Sequence, residues 1–231
     1  MRKAFDSVHR ELLLQKLKDK YCISDFWLMD YLSDRFQYVS HEKTVSASHK
    51  TYIGVPQGSV LGPKLFSLYI NDLPEVVQFS LPELFADDSN FVFVWFIDDF
   101  GSLNASIETD MHAIVDWTVK NQIQLNKNKT KVLCVGSKRN LKHIEGFSVK
   151  FDNNVILPVT ELKCLGLIFD CELNWSTHIN SMTKICYYRL RTLYSIKDFV
   201  SMNQLQVIGE AMIMSILNYM CSIWGALPKN T

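Results

Sequence analysis

The order of apolar and polar positions divides the chain into distinct segments. From Asp6 to Lys20, Val8, Leu12, Leu13 and Leu17 recur near helical spacing with charges between them, which predicts an amphipathic helix. A second helical stretch is predicted from about Asp25 to Arg35, followed by two short strands at Tyr38–Val45 and Thr51–Val55 with Ser46 and Ser48 between them. Gly54-Val55-Pro56-Gln57-Gly58-Ser59 reads as a turn-rich loop. Pro63 then sits where a helix can begin, since its missing N–H would have no helical partner there. Leu65, Leu68, Tyr69 and Asp72 follow at helical spacing until Pro74. Leu84–Asp88 is a short apolar run broken by two acids, and a second apolar run covers Phe91–Ile97. Together they predict a β-hairpin with an acidic turn. Leu103–Asn121 is helical. Gln122–Leu125, Lys131–Val135, Val155–Leu157 and Cys164–Phe169 read as short strands. Trp175–Lys197 and Asn203–Tyr219 read as long amphipathic helices forming a separate subdomain.

Composition narrows the class. In 231 residues, 48% are apolar and 21% charged, enough for a globular core. The formal net charge of +0 gives no overall support for a nucleic-acid partner, so any such surface must be local. The six cysteines form no C-x-x-C pair, which argues against a zinc site and for small buried thiols in a reducing compartment, nucleus or cytoplasm. Met1–Asp6 is charged and no apolar stretch of signal-peptide type follows. Phe91–Ile97, the longest apolar run, is far short of the roughly 20 residues a membrane span needs.

The sharpest chemical feature is Asp87-Asp88 at the hairpin turn. Strand residues alternate faces, so a turn is one of few places where adjacent carboxylates can both reach one cation. Magnesium takes oxygen ligands, usually one or two carboxylates plus substrate phosphates. Two such ions roughly 3.5–4 Å apart would clamp the attacking and leaving oxygens of a phosphoryl transfer. Taken alone, an Asp-Asp pair is more often just a solvated turn.

Other segments change that balance. Lys3-Ala4-Phe5-Asp6-Ser7-Val8-His9, Leu32-Ser33-Asp34-Arg35-Phe36-Gln37-Tyr38-Val39 and Gly54-Val55-Pro56-Gln57-Gly58-Ser59-Val60-Leu61-Gly62-Pro63 stand in that order. Leu68-Tyr69-Ile70-Asn71-Asp72-Leu73-Pro74 and Phe85-Ala86-Asp87-Asp88 follow. After them come Trp117, then Leu125-Asn126 with Lys129-Thr130, and finally Leu165-Gly166, Leu173-Asn174-Trp175 and His178-Ile179. In sequence and order these segments resemble the reverse transcriptases of non-LTR (LINE-type) retrotransposons along nearly the whole chain.

The resemblance implies an α+β fold: a right-hand polymerase palm, with a small antiparallel sheet backed by helices, and the start of a helical thumb. The palm would cover residues 1–172 with a fingers-side hairpin at about 36–56, and the thumb start would cover 173–231. It implies an RNA template, a DNA primer, deoxynucleotides and a two-magnesium site. Asp87 would be the main metal ligand, with Asp88 beside it as a weaker one. Phe5 would lie under the sugar and exclude a 2′-hydroxyl. Gln57 and Gly58 would line the nucleotide and template pocket, where glycine permits close backbone approach. Lys129 would stand near the leaving pyrophosphate. Leu165-Gly166 matches the primer-grip region.

One departure bears on activity. The family's first-motif aspartate would fall immediately before Met1, so this sequence carries only two of the three expected carboxylates. Asp6 is not a substitute, because in a strand it would point away from the face of Phe5. The expectation is therefore a polymerase domain that is inactive as these residues stand. The alternative is a non-catalytic nucleic-acid-binding remnant of a retroelement, with Lys16, Lys18, Lys20, Arg189 and Arg191 as local basic patches. A third possibility is a related palm enzyme. Phe5 argues against an RNA-dependent RNA polymerase, and Leu125-Asn126 with Lys129-Thr130 argues against an intron maturase.

Overall fold

A computed structural model describes the chain except Arg2, Asp25, Ile97, Asp98, Glu145, Asp152, Asn153 and 226–231. It forms two compact units that interleave along the chain, one of Met1–Thr130 with Val149–Ile156, the other of Lys131–Ser148 with Leu157–Thr231.

In the first unit, helix α1 (Arg10–Tyr21) buries Leu13 and Leu17 against helix α3 (Leu61–Ile70). Val8 fits the helical spacing yet lies in an extended stretch before α1, fully buried. The helix therefore starts four residues later than its apolar pattern implied, after a 3₁₀ turn at Ala4–Asp6. Helix α2 (Phe26–Leu32) gives way to strand β1 (Arg35–Gln37), short of the predicted end at Arg35; the predicted start, Asp25, is outside the described residues. Tyr38–Val45 is not one strand. β2 (Ser40–His41) folds back on β3 (Thr44–Val45), and β1 pairs with β4 (His49–Thr51), giving nested antiparallel ribbons with Glu42 at a φ of 52° in the turn.

Three helices of this unit meet at Lys16. Its ammonium donates to Asp72 Oδ1 and Tyr69 O, both at 2.7 Å, and lies 4.9 and 5.0 Å from the ring centres of Tyr69 and Trp117. Burial lowers the Lys16 pKa, and the hydrogen bond and charge of Asp72 oppose that shift. Trp117, from helix α4 (Phe100–Lys120), donates to the same Asp72 oxygen at 3.1 Å, and Tyr69 Oη donates to Asn121 O at 2.7 Å. Strands β5 (Leu81–Phe85) and β6 (Asp88–Val92) form the expected hairpin, ending sooner than Ile97, which is itself outside the described residues. Buried Asp110 on α4 fixes the entry to β5, accepting hydrogen bonds from the backbone N–H groups of Gln78, Phe79 and Ser80 and from Ser80 Oγ. Gln122–Leu125 forms no strand. Two further strands complete the unit's sheet elements: β8 (Val149–Phe151), absent from the sequence reading, packs on α4 and pairs with β9 (Asn154–Ile156), which overlaps the strand expected at Val155–Leu157.

In the second unit, β7 (Val132–Leu133) pairs in parallel with β10 (Pro158–Val159), and a short helix α5 (Lys138–Lys142) starts at the Ser137 cap. Cys164–Phe169 turns back on itself where a single strand was expected. β11 (Glu161–Cys164) and β12 (Leu167–Asp170) are antiparallel, and Leu165 and Gly166 carry φ of 45° and 88° in the two-residue turn. A turn with both central residues left-handed matches the twist of a hairpin. Helix α6 (Ser176–Ile196) follows, then α7 (Met202–Gly209), a π-helical turn at Glu210–Met214, α8 (Ser215–Asn218) and α9 (Cys221–Trp224). Among the described residues the strands form two-stranded pairs, all antiparallel except β7–β10, and the class is α+β.

Candidate active site

The site grows from the stretch Met1–Arg10, which is tied to two others. The Met1 main-chain nitrogen donates to Asp87 O at 3.1 Å, so the hairpin turn lies against the start of the chain. That turn contains Ala86, with a φ of 49°, and half-exposed Asp87; Asp88 follows as the exposed first residue of β6, paired with Phe85. From the core side, Leu84 and Phe91 pack on the cluster that holds Val8, Leu13 and Phe66.

The same stretch holds the Gly54–Gly58 loop. Gly54 N donates to Val8 O at 2.7 Å and Val55 N to Phe5 O at 2.9 Å. Gln57 Nε2 donates to Asp6 Oδ1 at 2.6 Å. Gly54 has a φ of 84°, and a Cβ built there would approach the Asp6 backbone O, Cα and C at 3.0, 3.1 and 3.3 Å. Only glycine lets the loop lie this close.

Arg10, at the first turn of α1, supports the loop from behind. Its guanidinium is buried and donates to Gly54 O (2.8 Å), Thr51 O (2.7 Å), Thr51 Oγ1 (3.0 Å) and Ile53 O (3.0 Å). Burial, and then the charge of Arg35, lower its pKa. A cation at a helix N-terminus opposes the helix dipole, so these four acceptors have to offset that cost. Sequence reading missed Arg10 because an arginine in an amphipathic pattern looks like a solvated charge; nothing in the sequence signals its burial.

The six candidate residues fare differently. Phe5 is half-buried, its ring centre 4.7 Å from that of Phe66. Gln57 and Gly58 are exposed, and Gly58, with a φ of 76°, would have open space around an added Cβ. Phe5, Gln57, Gly58 and the Asp87 turn are thus linked through Met1–Asp6. Lys129 is exposed at the end of a 3₁₀ turn, and among the described residues no hydrogen bond or ion pair joins it to Asp87 or Asp88. Asp6 was expected to face away in a strand. It lies instead in a 3₁₀ turn, with its carboxylate engaged by Gln57. Among the described residues no group of three or more His, Cys, Asp or Glu side chains is placed to hold a metal.

Residues 1–169 match the family described as reverse transcriptase (RNA-dependent DNA polymerase). The chain belongs to that family. It is 26% identical over 245 residues to a probable RNA-directed DNA polymerase from transposon BS of Drosophila melanogaster, covering 100% of this chain and 26% of that protein. It is 28% identical over 240 residues to the corresponding protein of the X-element of the same fly, covering 97% and 25%, respectively. To the RNA-directed DNA polymerase from the mobile element jockey it is 23% identical over 245 residues, again covering 100% and 26%. The LINE-type resemblance of the motifs is borne out, and the chain spans about a quarter of the length of these curated relatives.

Proposed function

We propose that these residues are the palm, at 1–172, and the start of the thumb, at 173–231, of an RNA-directed DNA polymerase of a non-LTR mobile element. The observation that carries this reading is the double attachment of Met1–Asp6, through Met1 to the Asp87 turn and through Phe5 and Asp6 to the Gly54–Gly58 loop. A nucleotide held over Phe5 would have the loop on one side and the carboxylates of the hairpin on the other.

Adjacent carboxylates, one half-exposed and one exposed, suit a partly hydrated magnesium ion, so Asp87 and Asp88 would hold it. When bound, such an ion supplies positive charge against the triphosphate and the attacking oxygen. The chain's own residues would do the rest. Phe5 would crowd the 2′ position of the sugar. Gln57, braced by Asp6, and the open surface of Gly58 would seat the nucleotide and template base. Lys129 would meet the departing pyrophosphate from its exposed turn.

We also propose that a polypeptide of these 231 residues alone does not extend a primer at a useful rate. Losing a single preorganised charge-stabilising group costs about 10²–10³ in rate, and a ligand shared by two metals should matter more. The test is extension of a DNA primer on an RNA template with deoxynucleotides and magnesium. Its arms are the 231-residue chain, its Asp87→Ala variant, and a longer chain with Asp immediately before Met1 and a fingers segment. Activity only in the longer chain, lost on Asp87→Ala, is the expected result. Asp87-dependent extension by the 231-residue chain would overturn the inactivity. Activity indifferent to Asp87 would overturn the site. The second reading, a nucleic-acid-binding remnant, draws on the lack of a third metal-binding group among the described residues. It requires primer–template binding without extension even in the longer chain.

A further inference from the structure

The cysteines, read from sequence as small buried thiols, have two kinds of surroundings. Cys22 and Cys221 are exposed, while Cys134, Cys164, Cys171 and Cys186 are half-buried. Two of the half-buried ones converge within the second unit. Strands β7 and β10 run in parallel with Leu133 opposite Val159, so the next residues along the two segments are Cys134 and Thr160. The Cys171 thiol donates to Thr160 O at 3.3 Å and lies 3.7 Å from Val159 O. From the other direction, Gly136 N donates to Cys171 O at 2.9 Å. The segment carrying Cys134 is therefore tied on one side to the residues that the Cys171 sulfur touches, and on the other to the Cys171 carbonyl. Cys171 itself sits on a braced loop. The Asp170 carboxylate accepts the backbone N–H groups of Glu172, Asn174 and Trp175 at 3.0, 3.1 and 2.8 Å. Electrostatics agrees with this proximity. Burial, and then the charge of Cys171, raise the Cys134 pKa. Burial, and then the charge of Asp170, raise that of Cys171. The Cys171 charge acts on Cys134, the order of a pair in which Cys171 ionises first.

We propose that Cys134 and Cys171 are a redox pair that closes to a reversible disulfide under peroxide, clamping the β12–α6 loop to the end of β7. The Cys171 thiolate attacks one oxygen of hydrogen peroxide, the O–O bond breaks, and hydroxide leaves to take up the Cys171 proton as water. Cys171 is then a sulfenic acid. The Cys134 sulfur attacks the Cys171 sulfur, the S–O bond breaks, and the hydroxyl departs with the Cys134 proton as a second water. One peroxide is reduced to two waters, and two thiols are oxidised to one disulfide. A thiol reductant reverses the closure by exchange. Raised pKa values leave little thiolate at neutral pH, so closure is slow and the pair answers sustained oxidation. Residues can be bridged only where the backbone already holds them on neighbouring segments, which the Gly136–Cys171 hydrogen bond and the β7–β10 pairing provide. The link joins segments far apart in sequence, so it restrains the unfolded chain and raises stability. The proposal uses none of the residues assigned to polymerisation and holds whether or not the 231-residue chain extends a primer.

The test uses the whole 231-residue chain with Cys22→Ser, Cys164→Ser, Cys186→Ser and Cys221→Ser, which leaves only the pair. After incubation with hydrogen peroxide its intact mass should fall by about 2 Da, and alkylation should find no free thiol. Peptide mapping should find Cys134 joined to Cys171 within one chain. Mapping of the parent chain with all six cysteines should find the same link, which covers the case of a serine variant that does not fold. The oxidised chain should melt at least about 4 °C above the reduced chain, and dithiothreitol should return it. Adding Cys134→Ser should strand the sulfenic acid on Cys171, where dimedone traps it. Adding Cys171→Ser instead should lower dimedone labelling at least about tenfold, since Cys171 is the attacking thiol. The proposal is overturned if both thiols still alkylate after oxidation, or if they join between chains. It is equally overturned if they reach sulfinic acid without joining, or if the link forms and leaves the melting temperature unchanged.

Discussion

Gly54 and Gly58 offer a matched pair of perturbations in one loop. Both have positive φ, 84° and 76°. An added methyl at either position incurs the left-handed penalty of an L-residue, about 1–2 kcal/mol. Their surroundings differ. The Cβ at Gly54 would press on three backbone atoms of Asp6 at 3.0–3.3 Å, and at Gly58 it would meet nothing within 4 Å. Backbone cannot swing aside as a side chain does, so overpacking adds roughly 1–3 kcal/mol at Gly54 only. Gly54→Ala should therefore melt below Gly58→Ala by roughly 2–12 °C, at about 2–4 °C per kcal/mol for a chain of this size. Hydrogen exchange should locate the damage. The amides of Gly54 and Val55, bonded to Val8 O and Phe5 O, should lose protection in Gly54→Ala and keep it in Gly58→Ala. Equal melting temperatures, or unchanged Val55 exchange in Gly54→Ala, would refute the close seating of this loop on Met1–Asp6.

Arg10→Met keeps most of the apolar stem but strands Gly54, Thr51 and Ile53 acceptors beneath the loop; a loss of about 2–4 kcal/mol in chemical denaturation is expected, and a loss under 0.5 kcal/mol would count against it. Tyr219 Oη donates to Leu165 O at 2.7 Å and its ring lies over Gly166, where a Cβ would come within 3.2 Å. Tyr219→Phe should cost about 1 kcal/mol, and Gly166→Ala more, both read as faster exchange of the β11–β12 amides. Burial lowers the His178 pKa below 6.5, so the unfolded chain takes up a proton there before the folded chain does. This contribution to stability is complete above pH 6.5 and declines as pH falls through that value toward the folded pKa. Melting temperature should drop over that window, and His178→Gln should flatten the drop.

The parts legible from sequence are those with a local physical cause. The hairpin around Asp87 was marked by two β-rich runs flanking an acidic dipeptide, and α4 and α6 by sustained helical periodicity. That Phe5, Gln57 and Asp87 should serve one site is an expectation from the family order of motifs alone, and no local signal tells that residue 6 will bond residue 57. Errors arose where tertiary contacts override a pattern. Val8 belongs to the helical stripe of α1 by spacing, yet the bridge between His9 and Ile53 holds this stretch extended. Tyr38–Val45 and Cys164–Phe169 hid turns because Glu42 and Leu165 adopt positive φ without the usual Asn or Gly at that position. The start of α7 was available: Ser201 and Gln204 form a reciprocal capping box, which sets the boundary one residue before the predicted Asn203. Arg10, Asp110 and Tyr219 were invisible, since each acts through one buried or long-range contact that no periodicity encodes.

Phe5 and the Asp87 turn are proposed to serve one nucleotide. The direct measurement is sugar selectivity in RNA-templated extension by the longer chain, with deoxy- and ribonucleotides compared for the parent and Phe5→Val. The parent should strongly prefer deoxynucleotides. Phe5→Val should take up ribonucleotides at least about tenfold better relative to deoxynucleotides, from space opened beside the 2′ position, while remaining fully dependent on Asp87. Unchanged selectivity in a Phe5→Val chain that still extends primers would contradict the placement of the nucleotide between Phe5 and the Asp87 turn.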